Sequence, residues 1–211
     1  MSRTRIKFCG FTRAEDLRVA TGLGVDYVGL VFAAHSPRKV SRATAAALRA
    51  GVPEGIGVVA LLMDNPADEV RAIIDAVAPD ILQFHGGETD AFAASFGLPF
   101  WKVIPMGGAD GNVADALATF PTASAFLLDG HGAGEPGGSG KAFDWGRMPR
   151  TAQKPLLLAG GLSADNVATA VRIAQPWGVD VSSGIEATPG VKDTQKMQAF
   201  INSVRTFDAP R

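Results

Sequence analysis

The sequence predicts a single closed (β/α)8 barrel of eight parallel strands, and three observations carry that expectation. First, short β-rich runs ending in Gly, His, Asp or Ser alternate with longer, alanine-bearing segments of helical spacing. Second, eight such runs can be counted along the chain. Third, 211 residues of 46% hydrophobic content suffice for one substantial core and fall short of two, so residues 1–211 read as one domain. Strands alternating with helices pair in parallel through right-handed crossovers, and eight units in this length suit closure better than an open sheet. An open doubly wound sheet would carry a glycine fingerprint after its first strand, whereas Cys9-Gly10-Phe11-Thr12 offers one glycine.

In chain order the expected strands are Arg5 to Cys9, Tyr27 to Phe32, Gly57 to Met63, Ile81 to His85, Phe100 to Pro105, Ala125 to Asp129, Pro155 to Gly160 and Val179 to Ser183. Helix starts are signalled by Thr12 three residues before Glu15, by Asn65 before Pro66, by Ser163 before Ala164 and by Asp193. The sixth unit is irregular: Gly130 to Gly140 is glycine-rich, and only the stretch near Asp144 to Met148 suits a helix. A long loop after a barrel strand points to function, and Gly137-Gly138-Ser139-Gly140 reads as a flexible cover near Asp129. The tail after Arg205 is expected to fray.

Composition excludes several classes of partner. The formal net charge is −1 with charges scattered singly, which suggests neither a nucleic-acid surface nor an acidic tail. The N-terminal residues reach a glycine before a signal-peptide core forms, and apolar runs fall far short of the roughly 20 residues that cross a bilayer. The one cysteine rules out an internal disulfide and fits a reducing cytoplasm. His35 and His131 stand without metal-ligand spacing, so neither a metal nor another cofactor is expected. The expected partner is a small molecule, bound by a monomer or homodimer.

Active sites of such barrels form at the carboxyl ends of the strands. Here those ends offer Cys9, His85, Asp129, Gly160-Gly161 and Ser182-Ser183-Gly184. A lone cysteine is most often a buried inert thiol. A thiol, an imidazole and a carboxylate gathered on one rim are better explained by a reaction. Lys7 shares a strand face with Cys9, which places an ammonium one layer beneath the sulfur and favours a thiolate. The apolar run Ala125-Phe126-Leu127-Leu128 before Asp129 supplies desolvation that favours a protonated carboxyl.

Lys7-Phe8-Cys9-Gly10-Phe11-Thr12 resembles the K-x-C-G-x-T signature that opens phosphoribosylanthranilate isomerases. Similar segments follow in the family's order: Gly29 to Phe32 with Ser36-Pro37-Arg38, Gln83 to Gly86, Leu127 to Asp129, Gly137 to Gly140, Leu158 to Leu162 and Asp180 to Glu186. The chain departs from the family's usual residues at Phe8 and Phe11, where Ile is common, at Phe84, where Leu is, and at Ser139, where Thr is. The resemblance implies a TIM barrel performing the Amadori rearrangement of N-(5-phosphoribosyl)anthranilate in tryptophan biosynthesis, with no cofactor. It makes Asp129 the general acid that opens the ribose ring and Cys9 the general base that takes the C2 proton. It offers Arg38 for the anthranilate carboxylate. His85 and Asp180 are further substrate-binding candidates, His85 orienting the substrate or bonding within the rim, and Asp180 also a buried partner for Lys7. The phosphate falls to Gly160, Gly161, Ser182, Ser183 and Gly184, since barrels of this class hold phosphate on the loops after strands seven and eight.

Two related enzymes fit less well. The sister sugar isomerase of histidine biosynthesis has an aspartate at the end of strand one and phosphate sites in both barrel halves, whereas Cys9 stands here and the first half has no paired-glycine strand end. A metal-dependent pentose-phosphate epimerase needs His and Asp ligands on several strands. A non-catalytic phosphate-binding barrel would have no use for Cys9 and Asp129 together.

Overall fold

A computed structural model describes residues 3–107, 113–130, 143–149 and 152–208. The strands β1 (Arg5–Cys9), β2 (Tyr27–Val31), β3 (Gly57–Leu62), β4 (Ile81–Phe84), β5 (Phe100–Pro105), β6 (Ala125–Asp129), β7 (Leu156–Leu158) and β8 (Gly178–Val181) form a closed barrel in sequence order. All eight pairings are parallel, and the seam between β1 and β8 sets Lys7 opposite Asp180. The helices are α1 (Ala14–Gly22), α2 (Arg42–Ala50), α3 (Ala67–Val77), α4 (Asp90–Ala94), α5 (Val113–Thr119), α6 (Val167–Ala174) and α7 (Thr194–Asp208). After β6 the described residues hold a single 3-10 turn, Trp145–Arg147, capped by the Asp144 carboxylate, where a short helix was expected.

Alternation along each strand divides the apolar residues between two cores. Outward residues such as Ile6, Phe8, Val28, Leu82, Phe84 and Phe126 pack against the helices. Phe8 meets Phe200 of α7 edge-on at 5.8 Å, and Phe84 lies among Phe92, Phe96 and Phe100. The aromatic departures at Phe8 and Phe84 therefore shape the outer core. Inward residues fill the lower barrel with Val59, Trp101, Val103, Ala125, Leu127 and Leu157, over a floor of interlocked Tyr27, Trp101 and Trp177 rings. At the upper layers apolar groups share the interior with polar ones: Lys7, Cys9 and Asp180 are buried there, with Cys9 against Val31 and Ala33.

Several strands end earlier than the sequence suggested, so His85, Gly160, Ser182 and Ser183 sit on the first residues of their loops. Three expected helix caps are replaced by other bonds. The Thr12 hydroxyl donates to the Gly190 carbonyl at 2.5 Å, and α1 starts after Arg13 with no side-chain cap. The Asn65 amide holds Phe32 and Glu69 while its oxygen accepts from Met63, so α3 also starts without a side-chain cap. Ser163 opens a turn closed by Asn166, and α6 begins only at Val167. Asp193 does cap its helix, accepting from Gln195 and Lys196 at 2.8 and 3.0 Å.

Residues 206–208 continue the last helix, where fraying was expected after Arg205. Helix α7 runs to Asp208, whose carboxylate accepts from the Thr4 N–H at 3.1 Å and the Thr4 hydroxyl at 2.7 Å, while Arg205 donates to the Thr4 carbonyl. The sequence also gave no sign of a hairpin, β9 (Glu186–Thr188) with β10 (Val191–Lys192), inserted between β8 and α7. The glycine-rich segment Gly137–Gly140 lies outside the described residues.

The seam pair Lys7–Asp180 is buried, with Nζ 2.9 Å from Oδ1. Removing one member leaves an uncompensated buried charge, so Asp180→Ala is expected to destabilise the barrel by roughly 3–5 kcal/mol. Replacing both residues by Leu should recover much of that loss. Urea or thermal denaturation measures both variants, and an Asp180→Ala protein as stable as its parent would refute the pair's role in closing the barrel.

Candidate active site

The carboxyl ends of the strands bring most of the expected residues to one mouth. Cys9 ends β1 and Asp129 ends β6, and both are buried, at 4% and 6% exposure. His85, just past β4, places Nε2 at 3.9 Å from Asp129 Oδ2. The loop that carries it is fixed from outside: Lys102 of β5 donates to the Gly86 carbonyl and to Glu88 at 3.0 Å, and Glu88 accepts from the N–H groups of Asp64 and Gly86. The imidazole thus meets the acid candidate from a braced position.

Lys7 lies one layer beneath Cys9, as the strand period requires. Burial works against its charge, but the Asp180 carboxylate and the adjacent Cys9 outweigh that and hold the ammonium above its ordinary pKa. The effect on the thiol is smaller than the sequence suggested. Burial pushes Cys9 up, Lys7 and Lys192 pull it down and Asp180 pushes it up again; the net position is above the ordinary thiol value. Lys7 therefore offsets desolvation without overcoming it.

Arg38 reaches the same mouth from the loop after β2, and its fork is already engaged. Its Nε and Nη2 donate to the two oxygens of Glu186 at 2.8 and 2.7 Å, in a pair that is buried on both sides. A guanidinium held through that edge presents its Nη1 edge to a further partner. Glu186 would be raised by burial alone; Arg38 and Lys192 reverse this and hold it below the ordinary carboxylate range. Lys192 completes the group, donating to Glu186 at 2.8 Å and to the carbonyls of Cys9 and Ser182 at 2.6 and 3.2 Å.

Glu186 and Lys192 are the residues that sequence reasoning missed. Glu186 closes the last segment that resembles the family, which was the one available signal. Lys192 had none, because the hairpin that carries it back over the mouth has no periodicity to read.

Beyond β7 and β8 the backbone suits an anion. Gly160 and Gly161 adopt φ of +83° and +64°, and Ser183–Ile185 forms a short 3-10 helix directly after β8. The two glycine positions have further duties. A Cβ on Gly160 would collide with the backbone of Gly130 and lie 2.7 Å from Asp129 Oδ1, so this glycine also makes room for the acid candidate. A Cβ on Gly184 would strike the Leu162 carbonyl, so its bareness lets the two loops lie against each other. Ser182 donates its hydroxyl to the Cys9 carbonyl at 3.0 Å, which ties the turn after β8 to the thiol strand. Among the described residues no three metal-ligating side chains come together, and no helix is long and apolar enough to cross a membrane.

Known proteins resemble this chain over nearly its whole length. Residues 6–203 match the family model described as N-(5'phosphoribosyl)anthranilate (PRA) isomerase. The chain is 51% identical over 211 residues to the N-(5'-phosphoribosyl)anthranilate isomerase of Xanthomonas campestris pv. campestris (strain 8004), covering 98% of this chain and 95% of that one. Its fold superposes on the crystal structure of phosphoribosyl anthranilate isomerase from Thermotoga maritima with a TM-score of 0.87 at 30% identity, covering 96% of this chain and 99% of that one. A further phosphoribosyl anthranilate isomerase, solved in complex with reduced 1-(o-carboxyphenylamino)-1-deoxyribulose 5-phosphate, aligns at TM-score 0.81 and 27% identity over 96% of this chain and 99% of that one. A closed barrel whose mouth gathers Cys9, His85, Asp129 and Arg38, matched to that family over nearly its whole length, belongs to the N-(5'-phosphoribosyl)anthranilate isomerase family.

Proposed function

We propose that this chain converts N-(5-phosphoribosyl)anthranilate to 1-(2-carboxyphenylamino)-1-deoxyribulose 5-phosphate, the isomerisation step of tryptophan biosynthesis, with Asp129 as general acid and Cys9 as general base. The observation that carries the assignment is a single thiol and a carboxylate, both buried, at the carboxyl ends of β1 and β6 of one barrel. Protonation of the ring oxygen by Asp129 accompanies cleavage of its bond to C1 and leaves an open-chain iminium. Cys9 then removes the proton from C2, and the electron pair neutralises the iminium to give an enolamine. Tautomerisation, with a proton delivered to C1, yields the ketone. His85 beside Asp129 suits orientation of the acid or of the substrate. The substrate is a small phosphorylated molecule, and the mouth calls on neither nucleic acid nor membrane; the lone thiol suits a reducing cytoplasm.

The remaining parts of the substrate fall to groups around this pair. The Nη1 edge of Arg38 suits the anthranilate carboxylate, with Glu186 setting the plane of the guanidinium. Gly160, Gly161 and the turn Ser182-Ser183-Gly184 suit the phosphate, which needs backbone N–H groups and hydroxyls and no metal. Asp180 acts indirectly on this reading, by keeping Lys7 charged beneath the thiol.

Cys9→Ala and Asp129→Asn are each expected to lower turnover by about 100- to 10,000-fold with the fold intact, as measured by the fluorescence change of freshly made substrate. Near-normal turnover in either variant removes that residue from its role. A base must be unprotonated to act, and burial holds the Cys9 thiol high. The free-enzyme profile of kcat/KM should therefore carry a limb from the ionisation of Cys9 beside one from the Asp129 acid, and Cys9→Ser should lose the Cys9 limb and most of the activity. A parent profile that shares every limb with Cys9→Ser would contradict a thiolate base.

Loss of a charged hydrogen bond costs roughly 1.5–3 kcal/mol, so Arg38→Ala is expected to weaken a carboxylate-bearing product analogue by about 10- to 100-fold. Unchanged binding would place the carboxylate elsewhere. For the phosphate, Ser183→Ala should weaken inhibition by inorganic phosphate. It is a cleaner probe than replacement of Gly160, which would also press on Asp129. Undiminished inhibition in Ser183→Ala would take that hydroxyl out of the phosphate site.

A further inference from the structure

Lys192 lies at the end of a two-residue strand and is 5% exposed; burial holds its ammonium below the ordinary lysine range, against the pull of the Glu186 carboxylate. Its three hydrogen bonds go to elements far apart in sequence: the Cys9 carbonyl on β1, the Ser182 carbonyl after β8, and the Glu186 carboxylate on β9. The Phe11 ring lies 5.7 Å from the ammonium, and the Lys192 backbone N–H donates to Asp16 of α1 at 3.0 Å. A hairpin that only needed a filler at this position would be served by an aliphatic side chain, since burying an ammonium is costly unless its bonds are complete.

We propose that Lys192 is a positioning residue of this reaction: its ammonium fixes the Cys9 strand end and the Glu186–Arg38 pair in one frame and sets a second cation, beside Lys7, where it favours the Cys9 thiolate. This rests on Cys9 being the base. The first part follows from shared acceptors, because Glu186 Oε1 takes both Lys192 Nζ and Arg38 Nε at 2.8 Å. The anthranilate-binding candidate and the thiol strand are thus joined through one nitrogen. The second part follows from the charges that act on the thiol. Lys7 from β1 and Lys192 from β10 favour ionisation, and Asp180 from β8 opposes it. Arg38 is near enough to the thiol to be affected by it, while Glu186 and Asp16 face Lys192 itself. With Lys7 tied to Asp180, Lys192 is the cation that a substitution can remove without stranding the seam carboxylate.

Because the chain has one cysteine, the ultraviolet absorbance of thiolate, taken as parent minus Cys9→Ala, reports this group alone. Lys192→Met is expected to raise the midpoint of that titration by about one pH unit, on the scale of one nearby opposite charge. At neutral pH kcat/KM should fall about tenfold as its limb moves by the same amount, and KM should rise as the Arg38 frame loosens. Lys192→Arg retains the cation and should keep the parent midpoint. A folded Lys192→Met with the parent midpoint overturns the proposal, as does a Lys192→Arg midpoint displaced upward by about one unit, the result that decides should the methionine variant fail to fold. The midpoint is read without turnover, so it separates this inference from the base assignment, whose failure would show as undiminished activity in Cys9→Ala.

Discussion

Closing eight strands into a ring obliges the first and last to meet, and here the meeting is made by Lys7 against Asp180 across 2.9 Å of buried space. The cost of sequestering two charges is offset only while both remain. Everything at the mouth hangs from that seam. The thiol of Cys9 lies one strand layer above the ammonium, the Ser182 hydroxyl donates to the Cys9 carbonyl, and Lys192 of the hairpin after β8 donates to the carbonyls of Cys9 and Ser182. A seam filled with aliphatic side chains would still close the ring, but it would leave the sulfur desolvated with no cation beneath it.

The barrel interior is therefore divided by height. The floor of Tyr27, Trp101 and Trp177, with the branched residues above it, excludes water and supplies burial energy. The upper layers give up that gain for charge: Lys7, Asp180, Arg38, Glu186 and Lys192 are all buried there. Such a concentration of satisfied polar groups rigidifies a site and makes each member depend on the others. Here every partnership crosses from one loop or strand to another, so the mouth holds its shape through the frame that the strands impose.

Most of the barrel was legible because its signals are local. Period-two strands, alanine-bearing helical segments and strand-terminal Cys9, His85 and Asp129 can all be read from neighbours in the sequence. What escaped reading is non-local. Arg38 and Glu186 are 148 residues apart, and Lys192 and Cys9 183 apart. The caps expected from Thr12 and Asn65 failed for the same reason, since Gly190 and Phe32 compete for those side chains once the chain has folded. The thiol's ionisation was misjudged in degree because sequence shows the ammonium two residues away and hides how little solvent remains. Gly160 was legible as a permissive turn, while its service to Asp129 required the position of β6.

The bond between Thr4 and Asp208 places the two ends of the described chain side by side at the floor, remote from the mouth. Joining them would take only a short bridge, and new ends could then be opened in any exposed loop between a helix and the next strand. The architecture is thus close to topologically circular: its order of strands matters, and its starting point hardly does. A tether attached at this clasp would leave the rim unobstructed, so the fold suits immobilisation or tandem fusion by the floor, with the reacting end turned toward solvent.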